Sequence, residues 1–465
     1  MKQDMMAMQA PLPEDIQNMK GAGYFTQALA MIEARLEKEI PTMLRQRLRI
    51  EEEILRRLPQ QYPYDQAAAL EKIRERIPDF SEDAWDALLR AGKLDFICIE
   101  GKPRFFCRFF QSLRKTDPGI AALAGAPLSP ENPLLDKVIG EMRQKGRLGY
   151  HIQLRASLRV NDAAFIPDET YRVHLPMPAQ AAQQKHPALL ASDPPCTFVS
   201  PETHLQRTVY FKQTLRENRP FTITYAYDNE VCYVNPLSPM EGACPYPDVP
   251  APTEADVAEM GAHIRFTPYL RALAYEIVGE ETVPARQARL IYDYITTHVQ
   301  YAFMRQYFTL EHIAEAAAVN LKGDCGVQAL LFITLCRIVG IPARWQSGLY
   351  VTPEYVGSHD WAQFYVAPYG WLFCDCSFGG SAYRVGNQVR WDFYFGNLDP
   401  YRMVANASFQ ADLTPEKRFF RADPYDNQEG ECECSVRGFA SAELDTECTL
   451  LAWQPFDPAT GCVKG

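Results

Sequence analysis

Residues 323–344 read GDCGVQALLFITLCRIVGIPAR, and the order of residue types in this stretch organises the rest of the chain. After Gly323 and Asp324 a helix can open at Cys325 and run through Leu330, Leu331, Thr334, Leu335 and Ile338, with Gly340 and then Pro342 as its stop. Cys325 then stands at the helix N-terminus. There the unpaired N–H groups and the positive end of the helix dipole favour thiolate over thiol, so the position predicts a lowered pKa and a nucleophile. Cys336, among Leu335, Ile338 and Val339, reads as packing.

A thiolate that attacks amides also needs an imidazole to hold the ion pair and protonate the leaving amine, and a third group to orient that imidazole. His359 lies in the strand-like run SHDWAQFYVA, and Asp375 in the next such run, GWLFCDCSF, with Pro368 and Gly370 marking the turn between them. A strict two-residue turn at Pro368 and Tyr369 would pair Asp375 with Ala362 and put the carboxylate and His359 on opposite faces. A three-residue loop centred on Pro368 pairs Asp375 with Trp361 and leaves His359 two residues away on the same face. The catalytic reading therefore requires that loop, or a bulge.

These residues resemble the transglutaminase-like superfamily of papain-like cysteine acyltransferases and hydrolases. The shared pattern is Gly323, Cys325 and Ala329 on a helix; Gly340 to Arg344 as its stop; His359 and Trp361 on a strand; and Trp371 and Asp375 on the next. LIYDYITTHVQYAF, upstream, is similar to the helix and entry that precede the family's nucleophile. The likeness extends over about 285 to 380. It implies Cys325 as nucleophile, His359 as general base and acid, and Asp375 as the orienting residue. Two positions depart from the family pattern: Asp360 follows the histidine where a small residue is usual, and Cys376 follows the aspartate where proline is usual. No motif places the family's side-chain oxyanion donor. The backbone N–H of Cys325 is expected to supply one donor, with Gln300 or Tyr301 as weaker candidates for the other, and Trp345, Tyr350 and Trp361 are aromatic residues available to line an acyl groove.

The expected architecture is α+β. The chain has 465 residues, enough for roughly three domains. Residues 1–147 read as a mainly helical module, in which Leu44, Leu48, Leu55 and Leu58 form an apolar face. Arg47/Glu51 and Arg49/Glu53 are expected as i,i+4 pairs on a solvated surface. DFICIEGKPRFFCRFF suggests a small hairpin within that module, and helical periodicity returns at 133–146. Alternating segments at 148–235 read as an antiparallel β domain, such as a sandwich, like the one that often precedes this domain in bacterial members of the family. A proline-dense stretch at 236–252 reads as a linker. A catalytic domain follows at 253–425, its helical periodicity resuming at Thr253, and 426–465 is expected to be a C-terminal extension of strands.

Composition narrows function. Apolar residues make up 47% and charged residues 23%, as in a water-soluble globular protein. Lys+Arg number 47 against 58 Asp+Glu, a net charge of -11, which opposes attraction to nucleic acid or to anionic membrane surfaces. The N-terminal twenty residues hold acids and prolines rather than an apolar export signal, so a cytoplasmic location is expected, with most of the 13 cysteines reduced and inert. The pairs Cys374/Cys376 and Cys432/Cys434 invite a zinc reading, but structural zinc prefers C-x-x-C turns and no metal or other cofactor is expected. His298 and His312 lack ligand spacing and read as surface or core residues. The expected function is thioester chemistry on a peptide or isopeptide-like amide, with hydrolysis favoured over amine cross-linking and a peptide or protein as substrate. The alternative is a non-catalytic scaffold or protein-binding module, which a buried thiol of ordinary pKa would favour.

Overall fold

The computed structural model describes residues 5–239 and 244–456. The N-terminal module contains α1 (Glu14–Gly21), α2 (Phe25–Leu36), α3 (Thr42–Gln61), α4 (Gln66–Arg74) and α5 (Glu82–Arg90). A hairpin of β1 (Phe96–Ile99) and β2 (Lys102–Phe105) follows, then α6 (Phe109–Thr116), α7 (Pro118–Leu123) and α8 (Pro133–Lys145). The hairpin closes through Glu100 and Gly101, both at positive φ, which matches the twist of the paired strands. Side-chain caps from Asp65, Ser81, Asp117 and Asn132 start α4, α5, α7 and α8.

Of the two pairs expected on the surface of α3, the first is buried and the second does not form. Arg47 and Glu51 are 2% and 0% exposed and bonded at 2.7 Å, Arg49 pairs with Glu52, and Glu53 pairs with Arg57. Tertiary packing overrides the charge pattern. Arg47 also donates to the Ala10 carbonyl and reaches Glu311, while Arg57 donates to the Arg421 carbonyl and lies over the Phe420 ring, so this helix is held by the later parts of the chain.

The chain continues through six strands: β3 (Arg147–Val160), β4 (Glu169–Pro176), β5 (Gln184–Asp193), β6 (Phe198–Val199), β7 (Thr208–Leu215) and β8 (Phe221–Cys232). Within 236–252, residues 240–243 lie outside the described residues; the remainder is neither helix nor strand, but it is packed rather than free. Tyr246 accepts from the Cys232 N–H, and the Trp371 indole donates to the Pro250 carbonyl. Thr253 opens only a single turn at Glu254–Asp256, and the first helix of the third region begins later, at Pro268, behind the Thr267 cap.

That region runs α9 (Pro268–Val278), α10 (Pro284–His298), β9 (Gln300–Tyr301), α11 (Ile313–Asn320), β10 (Lys322–Gly323), α12 (Cys325–Ile338), β11 (Ala343–Val351), β12 (Val356–Val366) and β13 (Gly370–Cys374). It ends with α13 (Cys376–Arg384), α14 (Gln388–Phe393), β14 (Phe395–Gly396) and β15 (Arg402–Asn406). The last strands are β16 (Glu431–Glu433) and β17 (Leu444–Phe456).

Among the described residues beyond α8, a two-stranded pairing of β9 with β10 accompanies three larger sheets. A five-stranded sheet in the order β14-β13-β12-β11-β15 carries α12 on one face, with Phe332 against Phe364. Two four-stranded sheets, β16-β4-β7-β6 and β17-β3-β8-β5, form a sandwich, with Phe211 of one sheet against Phe221 of the other. The C-terminal strands therefore belong to the sandwich begun 280 residues earlier rather than to a separate extension: β16 pairs with β4 and β17 with β3. Cys374, Cys376, Cys432, Cys434 and Cys336 are all buried in the core. His298 and His312 are exposed at the end of α10 and the start of α11. No helix among the described residues is long and apolar enough to cross a membrane.

Candidate active site

Asp324 caps α12 by accepting from the Val327 N–H, and Cys325 occupies the first helical position, where its own N–H has no acceptor within the helix. The cap is itself held by the Tyr307 hydroxyl at 2.6 Å. Gly326 allows the close approach that follows: a Cβ there would lie 2.7 Å from Asp360 Oδ2 and 2.8 Å from the Trp345 ring.

The hairpin register is the one the catalytic reading needs. Val366 pairs with Gly370 and Ala362 with Cys374, leaving Ala367, Pro368 and Tyr369 as a three-residue loop and carrying Asp375 opposite Trp361. β13 stops at Cys374, and Asp375, expected within the strand, instead caps α13 by accepting from the Phe378 N–H at 3.0 Å. Its other oxygen is hydrogen-bonded to His359 Nε2 at 2.8 Å and ion-paired with Arg402 Nη1 at 2.9 Å. Burial pushes the Asp375 carboxyl up, but the His359 and Arg402 charges outweigh it and hold it well below the usual carboxylate range. Burial lowers the His359 pKa despite the nearby carboxylate. Arg402 also bonds Asp399 at 2.7 Å, so imidazole, two carboxylates and guanidinium form one buried chain.

Two of the three expected residues, His359 and Asp375, are hydrogen-bonded to each other, and the thiol of the third bonds to a different residue. Along β12 successive side chains alternate faces. His359 turns toward Asp375, Tyr350 and Phe378, whereas Asp360 turns toward α12. The Cys325 thiol follows Asp360: Sγ donates to Asp360 Oδ2 at 3.3 Å rather than to the imidazole. The expected thiolate is overturned with it. Burial, then the charges of Asp360 and Asp324, raise the Cys325 thiol well above its ordinary value.

Asp360 is 5% exposed, and burial with the neighbouring Asp324 pushes its carboxyl up to about 8. Gln428 Nε2 fixes its other oxygen at 2.7 Å and also donates to the His359 carbonyl. Asp324 is pushed up to about 6 by burial, against the hydrogen bonds it accepts. Cys325 opens into a cleft of about 360 Å3, to which Tyr301, Asp423, Asp426 and Asn427 contribute on the domain side and Phe106, Cys107 and Arg108 from the N-terminal module. Burial, then each other or Asp360, pushes Asp423 and Asp426 up to about 8.

The remaining expected residues divide. Tyr301 lines the cleft, but Gln300 lines a different cavity, between α6 and α11. Trp361 is fully buried on the His359 face, donating to Gln346 at 2.9 Å, and so does not line the cleft. Trp345 is 3% exposed and packs beneath the start of α12 against Phe409. Tyr350 sits beside His359, not Cys325. Arg402, Tyr307 and Gln428 are the partners that sequence reasoning missed. Each comes from a segment without a motif, placed by tertiary contacts; the one signal present was Asp360 itself, at a position where the family pattern has a small residue.

Residues 271–376 match the family model described as the Transglutaminase-like superfamily. No curated protein matches the chain. Among solved structures, a candidate cysteine protease from Cytophaga hutchinsonii is similar, at 17% identity and a TM-score of 0.39, over 66% of this chain and 91% of that one. The periplasmic domain of TgpA from Pseudomonas aeruginosa is similar at 15% identity and a TM-score of 0.26, over 54% of this chain and 94% of its own. The stretch that contains the thiol, the imidazole and the carboxylate is thus a transglutaminase-like domain, set between a helical module and a sandwich whose strands flank it on both sides.

Proposed function

We propose that the protein is a cysteine enzyme that cleaves a peptide or isopeptide-like amide through a thioester on Cys325, with hydrolysis favoured over amine cross-linking. The observation that carries this reading is the placement of Cys325: first residue of a capped helix, inside the family match, with its thiol on a cleft of about 360 Å3. Attack at a bound carbonyl there would direct the developing oxyanion to the free N–H of the helix start. The His359–Asp375 pair can serve as proton relay once the thiol turns to its face of the sheet; catalytic contacts in unliganded enzymes often tighten only with substrate.

A second reading, a non-catalytic scaffold, is favoured by one observation, the raised thiol pKa. One experiment separates the two. The protein and its Cys325→Ala variant are incubated with labelled casein, with and without a fluorescent primary amine, and with iodoacetamide followed by mass spectrometry. Fragments that depend on Cys325 support hydrolysis, and Cys325-dependent amine incorporation supports cross-linking. Neither product, together with alkylation of Cys325 no faster than an ordinary thiol, sinks the enzyme reading.

A further inference from the structure

We propose that Arg108, Lys115 and Arg384 form an anion subsite beside Cys325, which selects substrates with a free carboxylate close to the scissile amide. The proposal rests on the reading of Cys325 as nucleophile and deepens it by naming a substrate class. The three cations come from separate places in the chain: Arg108 immediately precedes α6, Lys115 stands in the last turn of that helix, and Arg384 ends α13. Two of them meet over the aromatic rings at and just after β9. The Arg108 guanidinium carbon lies 3.4 Å from the centre of the Phe303 ring. Lys115 Nζ lies 4.6 Å from that centre and 4.7 Å from the centre of the Tyr301 ring. Arg108, Phe303 and Tyr301 line the same cleft of about 360 Å3 as Cys325. Arg384 is within electrostatic reach of Tyr301, and Lys115 of Cys325 and of both arginines.

Among the described residues, none of the three has a carboxylate within ion-pair distance, and none donates a side-chain hydrogen bond. That is unusual in a chain with 58 acidic residues against 47 basic ones, where nearby cations are matched: Lys93 with Asp117 at 2.6 Å and Arg289 with Asp293 at 2.7 Å. A ring engages one face of a guanidinium and leaves its in-plane N–H donors free, in the fork geometry that suits a carboxylate. Lys115 and Arg384 gain from standing in last turns, where the helix dipole favours a cation. Arg108 does not: it sits at the N-cap of α6, where the dipole opposes it and no side-chain cap forms. Desolvation lowers the Lys115 pKa, Cys325 counters this, and Arg108 and Arg384 add to the lowering. Like charges gathered in this way are stabilised by an anion that reaches all three. Arg108 and Lys115 are exposed and Arg384 is half-buried, so such an anion meets them without displacing the fold. The carboxyl groups Asp423, Asp426 and Glu429 of the cleft come from the segment before β16, so the two signs of charge are carried by different elements.

Alkylation of the full chain reads the subsite, because iodoacetate and iodoacetamide attack the same thiolate and differ in charge. The ratio of their rates at Cys325, assigned by mass spectrometry, cancels any change in thiolate fraction. Relative to the urea-unfolded chain, the folded protein is expected to favour iodoacetate about tenfold, and about 0.5 M NaCl is expected to remove most of that preference. Arg108→Gln and Lys115→Gln are each expected to lower the ratio about threefold, while Lys115→Arg keeps it. Circular dichroism confirms that each variant is folded. Peptides distinguish the source of the carboxylate. Acetyl-Gly-Glu-Gly-amide bears it on a side chain, acetyl-Gly-Gly-Gly bears it at the C-terminus, and acetyl-Gly-Gln-Gly-amide is the neutral control. At least one of the first two is expected to slow iodoacetamide labelling of Cys325 more than the control does. A ratio indifferent to the cations overturns the proposal and leaves the nucleophile reading intact, as does protection no better than that by the neutral peptide. Failure of Cys325 to react with iodoacetamide in the folded wild type removes the nucleophile reading itself and the proposal with it.

Discussion

Two adjacent residues, His359 and Asp360, face opposite sides of one strand and thereby belong to two different buried networks. On the Asp360 side the carboxyls of Asp324, Asp360, Asp423 and Asp426 are all pushed up, which has a consequence for stability. A carboxyl raised from 3.8 to about 8 in the folded state, as for Asp426, holds its proton more tightly than the unfolded chain does. Its stabilising part is therefore present below about pH 4 and is lost as pH rises toward about 8. Asp426→Asn does not titrate, so urea unfolding should show the variant gaining on wild type between pH 5 and pH 8 by roughly 1.4 kcal/mol per pH unit. A difference that stays constant across that range would contradict the assignment. Asp324→Ala removes the cap of α12 and should lower stability by about 1 kcal/mol in the same measurement, with a larger effect on Cys325 reactivity than on the unfolding midpoint.

At the level of elements, the position of Asp375 depends on loop length. With Ala367, Pro368 and Tyr369 between the strands, Asp375 falls on the His359 face; one residue more or fewer would put it on the other. β11 supplies a second constraint. A Cβ at Gly348 would collide with the Met403 carbonyl of β15, at the point where the pairing of these strands shifts register. Because the obstacle is backbone, Gly348→Ala should displace β15 and with it Arg402, the cation that holds Asp375. The expected cost is about 3 kcal/mol, read from the denaturation midpoint. An unchanged midpoint would mean that β15 moves freely and that the Arg402 anchor is soft.

Across the whole molecule, α3 is the member that ties the N-terminal module to the site. Its Arg47–Glu51 pair is almost wholly buried, is joined by Lys20 and Glu311, and shares the helix with Arg57, which reaches the Arg421 carbonyl. Breaking such a pair leaves an uncompensated buried charge. Arg47→Ala should therefore cost about 3–5 kcal/mol, while the double replacement Arg47→Met with Glu51→Leu should cost much less, as a double-mutant cycle would show. Equal costs would mean that water reaches the pair. The module also contributes Phe106, Cys107 and Arg108 to the Cys325 cleft, so its docking shapes the space a substrate would enter.

Legible in the sequence were the α+β class, the helix opening at Cys325, a hairpin within DFICIEGKPRFFCRFF, helical periodicity at 133–146 and the strand pair around His359 and Asp375. These follow from local rules: caps and stops at helix ends, period-2 alternation, and turn residues between runs. Even the side of the sheet on which Asp375 lies was reducible to loop length. Tertiary structure alone decided that the thiol faces Asp360, that Arg402, Gln428 and Tyr307 complete the two networks, that β16 and β17 close the sandwich and that Arg47 and Glu51 are buried. The reason is physical. Which face of a sheet a helix covers, and whether a charge is in water or in the core, depend on contacts between segments far apart in the chain, and burial of the same origin raises the Cys325 thiol.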